Sequence, residues 1–352
     1  MKMEDIAKIA GVSKAAVSLA LNGKPGIGAE TRDRILEIAR DNNYVPKLRT
    51  ASRTEQLSDK SLTFLVFANS GIVLEQYYQQ PFFRELIHFI EERCRTEGYA
   101  LLFSSIEIDS LEEEIKAAAE EGRSSGIILL GTNLTRGQIA YIADILSSPL
   151  VALDICYESL PVHFVGINNV MGAYQAGQHL YDQGHRHIGY IASNERIHNF
   201  DDRRRGFMAA LKERGIDIPN NQIFSVAPTI LSSQESLKHQ LNSYMDTGAI
   251  LPTAFFCECD YIAISAIKTL TELGIRVPED ISIVGFDNIK ESIIVTPELT
   301  TIHVEKERMA SLAVDLLIQS IADESLAKTK ILVDTRFVER KSSGSPGLQT
   351  RQ

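Results

Sequence analysis

Apolar positions recur at helical spacing at the start of the chain, then settle into a long alternation of strand-like and helix-like runs. Ile6, Ile9 and Ala10 stand at i, i+3 and i+4, which predicts a short first helix with one apolar face. Gly11 suits the positive φ of a sharp turn, and Val12 plugs the corner. Ser13 is a good N-cap for a second helix, its hydroxyl able to accept from the amide near Ala16. Val17 and Leu21 point back at the first helix, which leaves Lys14, Ala15, Ser18, Leu19 and Asn22 on the outward face. Residues 29–42 predict a third helix, with Ile35, Leu36, Ile38 and Ala39 closing a three-helix core over Ile6 and Val17. Pro46 ends it, and the polar, basic residues 47–60 read as a linker.

Residues 5–22 thus have the form of a helix-turn-helix, its second helix shaped to enter a DNA major groove. An ordinary αα-hairpin inside a core is the alternative. The small, polar outward face with its one lysine argues against that.

From residue 62 the pattern changes. Strands are predicted over 62–67, 99–103, 126–130 and 150–153, with helices over 82–97, 111–121 and 136–146 between them. The alternation then restarts, with strands over 164–167, 188–191, 223–226, 254–257 and 281–286 and helices over 172–183, 204–214, 234–244 and 261–273. Such spacing implies βαβ units and parallel sheets with helices on both faces, in two lobes of similar plan. Their strand ends converge on a cleft, where open α/β sheets bind ligands. The fold class is α/β: a three-helix head on a two-lobed body. Residues 342–352, rich in Ser, Gly and Pro, read as a disordered tail without leucine heptads.

Charge sharpens the reading of the head. The whole chain of 352 residues carries −10, yet residues 1–56 hold ten Lys and Arg against seven Asp and Glu, so the head is +3 and the remainder −13. A basic head on an acidic body suits a protein that meets phosphate at one end only. Cys94, Cys156, Cys257 and Cys259 give no disulfide framework and no paired metal-ligand spacing, so they read as reduced thiols and no metal site is expected. No signal-peptide pattern follows Met1 and no apolar run is long enough to span a bilayer, which places the expected site of action in the cytoplasm. The Walker-type, dinucleotide-type and G-x-S-x-G motifs of phosphate-handling or acyl-transfer enzymes are missing, so no catalysis is expected.

At this point the chain resembles the LacI/GalR family of bacterial transcription regulators over nearly all its length. The head carries Asp5-Ile6-Ala7, Ala10-Gly11-Val12-Ser13, Val17-Ser18, Leu21-Asn22, Glu30-Thr31-Arg32 and Tyr44-Val45-Pro46. The body carries 184–191, Arg203 with Gly206-Phe207, 274–287 and 296–302 in family order and spacing. The resemblance implies a homodimer on a double-stranded operator, controlled by a small-molecule effector, with sugars and sugar phosphates the commonest class. It also implies a periplasmic-binding-protein-like body crossed three times by the chain. The boundaries are then a head over 1–46, a hinge over 47–60 and a body over 61–341. Its first lobe spans about 61–161 and 291–323, and its second about 162–290 and 324–341, with crossovers near 161, 291 and 323.

The resemblance also assigns residues. Ser13, Lys14, Ala15, Ala16, Ser18, Leu19, Asn22 and Thr31 fall on the DNA side, with Lys14 and Ala15 the main specificity positions. Lys14 reaches either guanine O6/N7 or a phosphate. Leu19 stands where many members carry a base-contacting Arg, so the operator is expected to lack the guanine that such an Arg reads. In the hinge, Arg49 and Arg53 also fall on the DNA side, and Arg53 stands at the position of the usual leucine wedge, which implies either minor-groove binding without a leucine-driven kink or a solvated linker. Effector contacts fall on Phe82, Asp154, Asn199, Arg203, Cys259 and Asp287. Closure of the lobes around a ligand would rotate the first-lobe pair and change the spacing of the heads. A sugar-binding sensor without operator control is the alternative function.

Overall fold

The computed structural model describes residues 3–21, 27–41, 60–121, 124–230, 233–323 and 325–347. The chain divides into two compact units, residues 1–57 and 58–352. The first contains helices α1 (Met3–Ala10), α2 (Lys14–Leu21) and α3 (Ala29–Asp41). Its core is Ile6, Ala7, Ala10, Val17, Ala20, Ile35 and Ala39, with Val12, Ile27 and Ile38 packed against it. Leu36 is only half-buried, and Ile9, expected inside, is 55% exposed. At about 100° per residue, Ala7 and Ala10 fall on one side of Ile6 and Ile9 on the other. Packing of α2 and α3 against α1 covers the alanine side. The small residues let the helices approach, and the isoleucine is left at the rim.

The turn between α1 and α2 is built as expected. Gly11 has φ +64°, and the Ala16 amide donates to Ser13 Oγ at 3.2 Å. Arg34 of α3 adds a donor that the sequence did not suggest, its Nη2 reaching the Ala10 carbonyl at 2.8 Å and satisfying the end of α1.

The second unit begins with β1 (Ser61–Ala68), α4 (Pro81–Thr96), β2 (Ala100–Glu107), α5 (Leu111–Glu121), β3 (Gly126–Leu130), α6 (Arg136–Ile145), β4 (Leu150–Leu153) and β5 (His163–Ile167). It continues through α7 (Asn169–Asp182), β6 (Ile188–Ser193), α8 (His198–Lys212), β7 (Ile223–Val226), α9 (Ser233–Asp246), β8 (Ala254–Cys257), α10 (Asp260–Glu272) and β9 (Ser282–Val284). The last elements are β10 (Thr301–His303), α11 (Lys306–Ala322), β11 (Lys330–Val333) and β12 (Arg336–Val338).

These strands make two parallel sheets, ordered β11-β5-β4-β3-β1-β2 and β7-β6-β8-β9, and an antiparallel pair, β10-β12. Strands such as β3 (GIILL) and β8 (AFFC) are buried at every position, which is why they read as unbroken apolar runs. Helices α4 and α11 pack on one face of the first sheet, and Leu111, Ile115, Ile139 and Ile142 of α5 and α6 cover the other.

The lobe boundaries differ from those expected. Strand β5 pairs with β4, and β11 pairs with β5, so both belong to the first sheet rather than to the second lobe. Thr300 bridges Val284 beside β9, which keeps the chain in the second lobe as far as β10. The crossings therefore lie after Ile167, between β10 and α11, and between β11 and β12. Strand pairing decides the boundary, and an apolar run such as 164–167 fits the edge of either sheet equally well. The tail also differs. Ser342 Oγ donates to the Ile283 carbonyl and accepts from the Thr300 amide, and His185 Nε2 sits 2.9 Å from the Gly344 carbonyl. Residues 342–347 are thus stitched to the second lobe; 348–352 lie outside the described residues. Among the described residues, no helix is long and apolar enough to cross a membrane.

Candidate functional site

Parallel strands deliver their C-terminal ends to one cleft between the lobes. Asp154 follows β4, with φ +63°, and Asp287 closes the turn after β9, with φ +116°. Cys259 follows β8 as the N-cap of α10. Asn199 and Arg203 stand on the first turns of α8, which starts at His198 and so presents both from a helix rather than from a loop. Phe82 stands in the first turn of α4, behind Pro81. All six residues line one cavity, joined by Thr132, Phe83, Phe200 and Tyr261. Its free volume is about 20 Å³, room for about one water.

The polar groups are buried and interlocked. Arg203 donates from Nε to Asn169 at 2.9 Å and from Nη1 to the Glu258 carbonyl at 2.7 Å, and its Nη2 lies 2.9 Å from Asp287 Oδ1. Its guanidinium carbon lies 3.8 Å from the centre of the Phe286 ring. Asn199 donates to the Asp154 carbonyl at 3.0 Å and to Oδ1 at 3.3 Å, while Thr132 donates to Oδ2 at 2.6 Å. Tyr261 Oη accepts from the Phe82 amide at 3.1 Å, so the second lobe satisfies a free N–H at the start of a first-lobe helix. Lys306, also buried, reaches the Asp287 carbonyl at 3.1 Å and Glu85 at 3.3 Å.

Burial sets the electrostatics. It pushes the Asp154 carboxyl up to about 7, against the opposing pull of the Thr132 hydrogen bond and the Arg203 charge. Asp287 is also raised by burial, opposed by Arg203 and Lys306. Behind the cavity wall Asp260 is raised to about 8 by burial and by Asp287, while it accepts from Thr301 and from the Ile289 amide. Burial likewise raises the Cys259 thiol and keeps it uncharged. Among the described residues no group of three or more His, Cys, Asp and Glu is placed to hold a metal.

The sequence pointed to six of these residues and missed Thr132, Tyr261, Asn169 and Glu258. Tyr261 lay inside a helix recognised only as helix, and Thr132 follows β3 in a segment without distinctive chemistry. The buried carboxylate of Glu258, held by Tyr190, the Ser193 amide and Arg196, directly precedes Cys259 and was the more readable signal.

On the head, Ser13 and Lys14 are exposed at the start of α2, and Ala16, Leu19 and Thr31 are half-buried. The side chains of Ala15 and Ser18 lie outside the description, as do Asn22, Arg49, Arg53 and nearly all of the 47–60 hinge.

Comparison with known proteins agrees with both units. Residues 2–47 match the family described as bacterial regulatory proteins, lacI family, and residues 178–343 match a periplasmic binding protein-like domain. The chain is 32% identical over 342 residues to the HTH-type transcriptional repressor PurR of Pasteurella multocida, covering 97% of this chain and 98% of that protein. The corresponding repressor of Photorhabdus laumondii is 30% identical over 343 residues, covering 97% and 96%. Among solved structures, the lac repressor dimer bound to operator and the anti-inducer ONPF superposes with a TM-score of 0.71 at 23% identity, over 98% of this chain and 99% of that one. The regulator CelR in complex with cellobiose gives 0.70 at 23%, over 97% and 99%. With a helix-turn-helix head, a two-lobed ligand-binding body and full-length relatives of this identity, the chain belongs to the lacI family of bacterial regulatory proteins.

Proposed function

We propose that this protein is a ligand-controlled transcriptional repressor that binds a pseudo-palindromic operator as a homodimer and binds its effector without turning it over. One observation carries the reading: the six candidate residues, drawn from both lobes, line one cavity of about 20 Å³ whose walls are joined by Asn199–Asp154 and Tyr261–Phe82 hydrogen bonds. A ligand entering it must part or re-seat the lobes, and such a change alters head spacing only through the free energy by which the ligand prefers one arrangement. The relatives named as repressors favour repression. Control of carbohydrate-related genes is the working assignment, with the cellobiose complex of CelR as its support.

Base choice is assigned to Lys14 and Ala15, with affinity supplied by phosphate contacts. The test is selection of binding sites from random duplexes with the full-length protein, followed by titration of the winner with and without candidate effectors. Two-fold-related half-sites are expected, without the guanine that an Arg at position 19 would read. Recovery of that guanine overturns the specificity assignment. Failure to retain any duplex at low ionic strength overturns the function.

A further inference from the structure

Two pairs of adjacent, oppositely charged residues face each other across the lobes. Arg84 and Glu85 stand in the first turns of α4, on the first lobe. Lys290 and Glu291 open a short 3-10 turn, Lys290–Ile293, on the second. They pair crosswise: Arg84 Nη2 lies 3.7 Å from Glu291 Oε1, and Lys290 Nζ lies 3.6 Å from Glu85 Oε1. Glu85 is mostly buried, and its second oxygen lies 3.3 Å from the buried Lys306 ammonium, so its carboxylate is held in place for Lys290.

The backbones that carry these charges are firmly mounted. The Arg84 amide donates to the Gln80 carbonyl within the first turns of α4. The opposing turn is fixed to its own lobe by the Ile289 amide on Asp260 and by Ser292 on Asn288. Arg340 donates to both Asn288 and Ser292. The charges therefore travel with their lobes. Order matters as well as distance. A slide of one residue, about 3.8 Å between neighbouring Cα atoms, brings Arg84 against Lys290 in one direction and Glu85 against Glu291 in the other. Attraction thus singles out the arrangement seen.

The pairing is close without being complete. Both cross-lobe contacts are longer than a hydrogen bond. Glu291 Oε2 is buried with no hydrogen-bond partner among the described residues. A buried acceptor in that condition favours a donor, and the Arg84 guanidinium beside its other oxygen can supply one when the lobes tighten.

We propose that Arg84, Glu85, Lys290 and Glu291 form an electrostatic latch between the lobes, which biases the angle between them and, through it, operator affinity. The latch itself stands on the geometry; its effect on DNA rests on the regulator role proposed above.

The test compares the full-length protein with Arg84→Glu, Glu291→Arg and the double exchange, each checked for folding by circular dichroism and melting temperature. Hydrogen exchange reads the first turn of α4 and residues 288–293, with β3 and β8 as references inside each lobe. Each single reversal is expected to quicken exchange at both places by roughly fivefold, and the double exchange to bring it back to within about twofold of wild type. Raising salt from about 0.05 M to about 1 M should erase the difference between wild type and the single variants. A gel shift at one ionic strength should show operator affinity altered by roughly fivefold in the single variants and recovered in the double. Single reversals that exchange like wild type overturn the latch, and so does a double variant in which the two losses add. Exchange that responds while operator affinity stays constant in all four proteins overturns the link to DNA. Wild-type protein that retains no duplex overturns the regulator reading, and exchange alone then decides the latch.

Discussion

Arg203 is used on every side: one edge against Asn169, one against the Glu258 carbonyl, one against Asp287, and its face against Phe286. Such a residue fixes the cleft more than it reaches into it. The neighbouring acids show the converse, because burial raises Asp154 to about 7 and Asp260 to about 8, well above the ordinary carboxylate range. An acid whose folded-state pKa is raised favours folding fully below its unfolded value, and that contribution is lost as pH climbs through the folded value. The melting temperature is therefore expected to fall as pH rises from about 4 to about 8 and to level off above that, with a loss on the order of a few kcal/mol shared by the two groups. Asp154→Asn and Asp260→Asn should each flatten that slope in scanning fluorimetry at constant ionic strength. A slope identical in wild type and both variants removes the assignment.

At the level of elements, α7 and α8 pack too closely at two glycines to admit a side chain. A Cβ added at Gly206 would lie 2.1 Å from the Val170 carbonyl oxygen, and one at Gly177 would lie 2.9 Å from the Ala210 Cβ. Backbone cannot retreat as a flexible side chain does, so Gly206→Ala should cost about 1–3 kcal/mol or more, read as a lower urea midpoint at unchanged m. An unchanged midpoint would mean that the helices separate freely. Legibility in the sequence follows the same physics. The strands β3, β4 and β8 were readable to the residue because central parallel strands are apolar throughout, and the edge strand β7 was readable from its short apolar run. Helix α11, between 306 and 322, went unnamed, and the edge pairing of β5 with β11 was invisible because it joins segments more than 160 residues apart. In the cleft, charged residues at strand ends, such as Asp154 and Asp287, stand out from their surroundings. Thr132 and Tyr261 do not: Thr132 serves Asp154 from the neighbouring strand end of the same sheet, and the role of Tyr261 exists only once the two lobes face each other.

For the molecule as a whole, the Tyr261 hydroxyl on the Phe82 amide is a tie between the lobes whose loss leaves a buried donor unsatisfied. Tyr261→Phe should weaken the closed arrangement by about 1–3 kcal/mol. Hydrogen exchange at the first turn of α4 should then quicken by about tenfold or more, while β3 and β8 keep their protection. Unaltered exchange there would show that the tie contributes nothing to closure. The threading of the chain has its own genetic consequence. Because α11 and β11 complete the first sheet after the second lobe has been made, neither lobe is encoded by one continuous stretch of sequence. A nascent chain cannot finish its earlier half until the codons for residues 306–333 are translated, and a premature stop shortly after residue 305 would wound the lobe that was begun first.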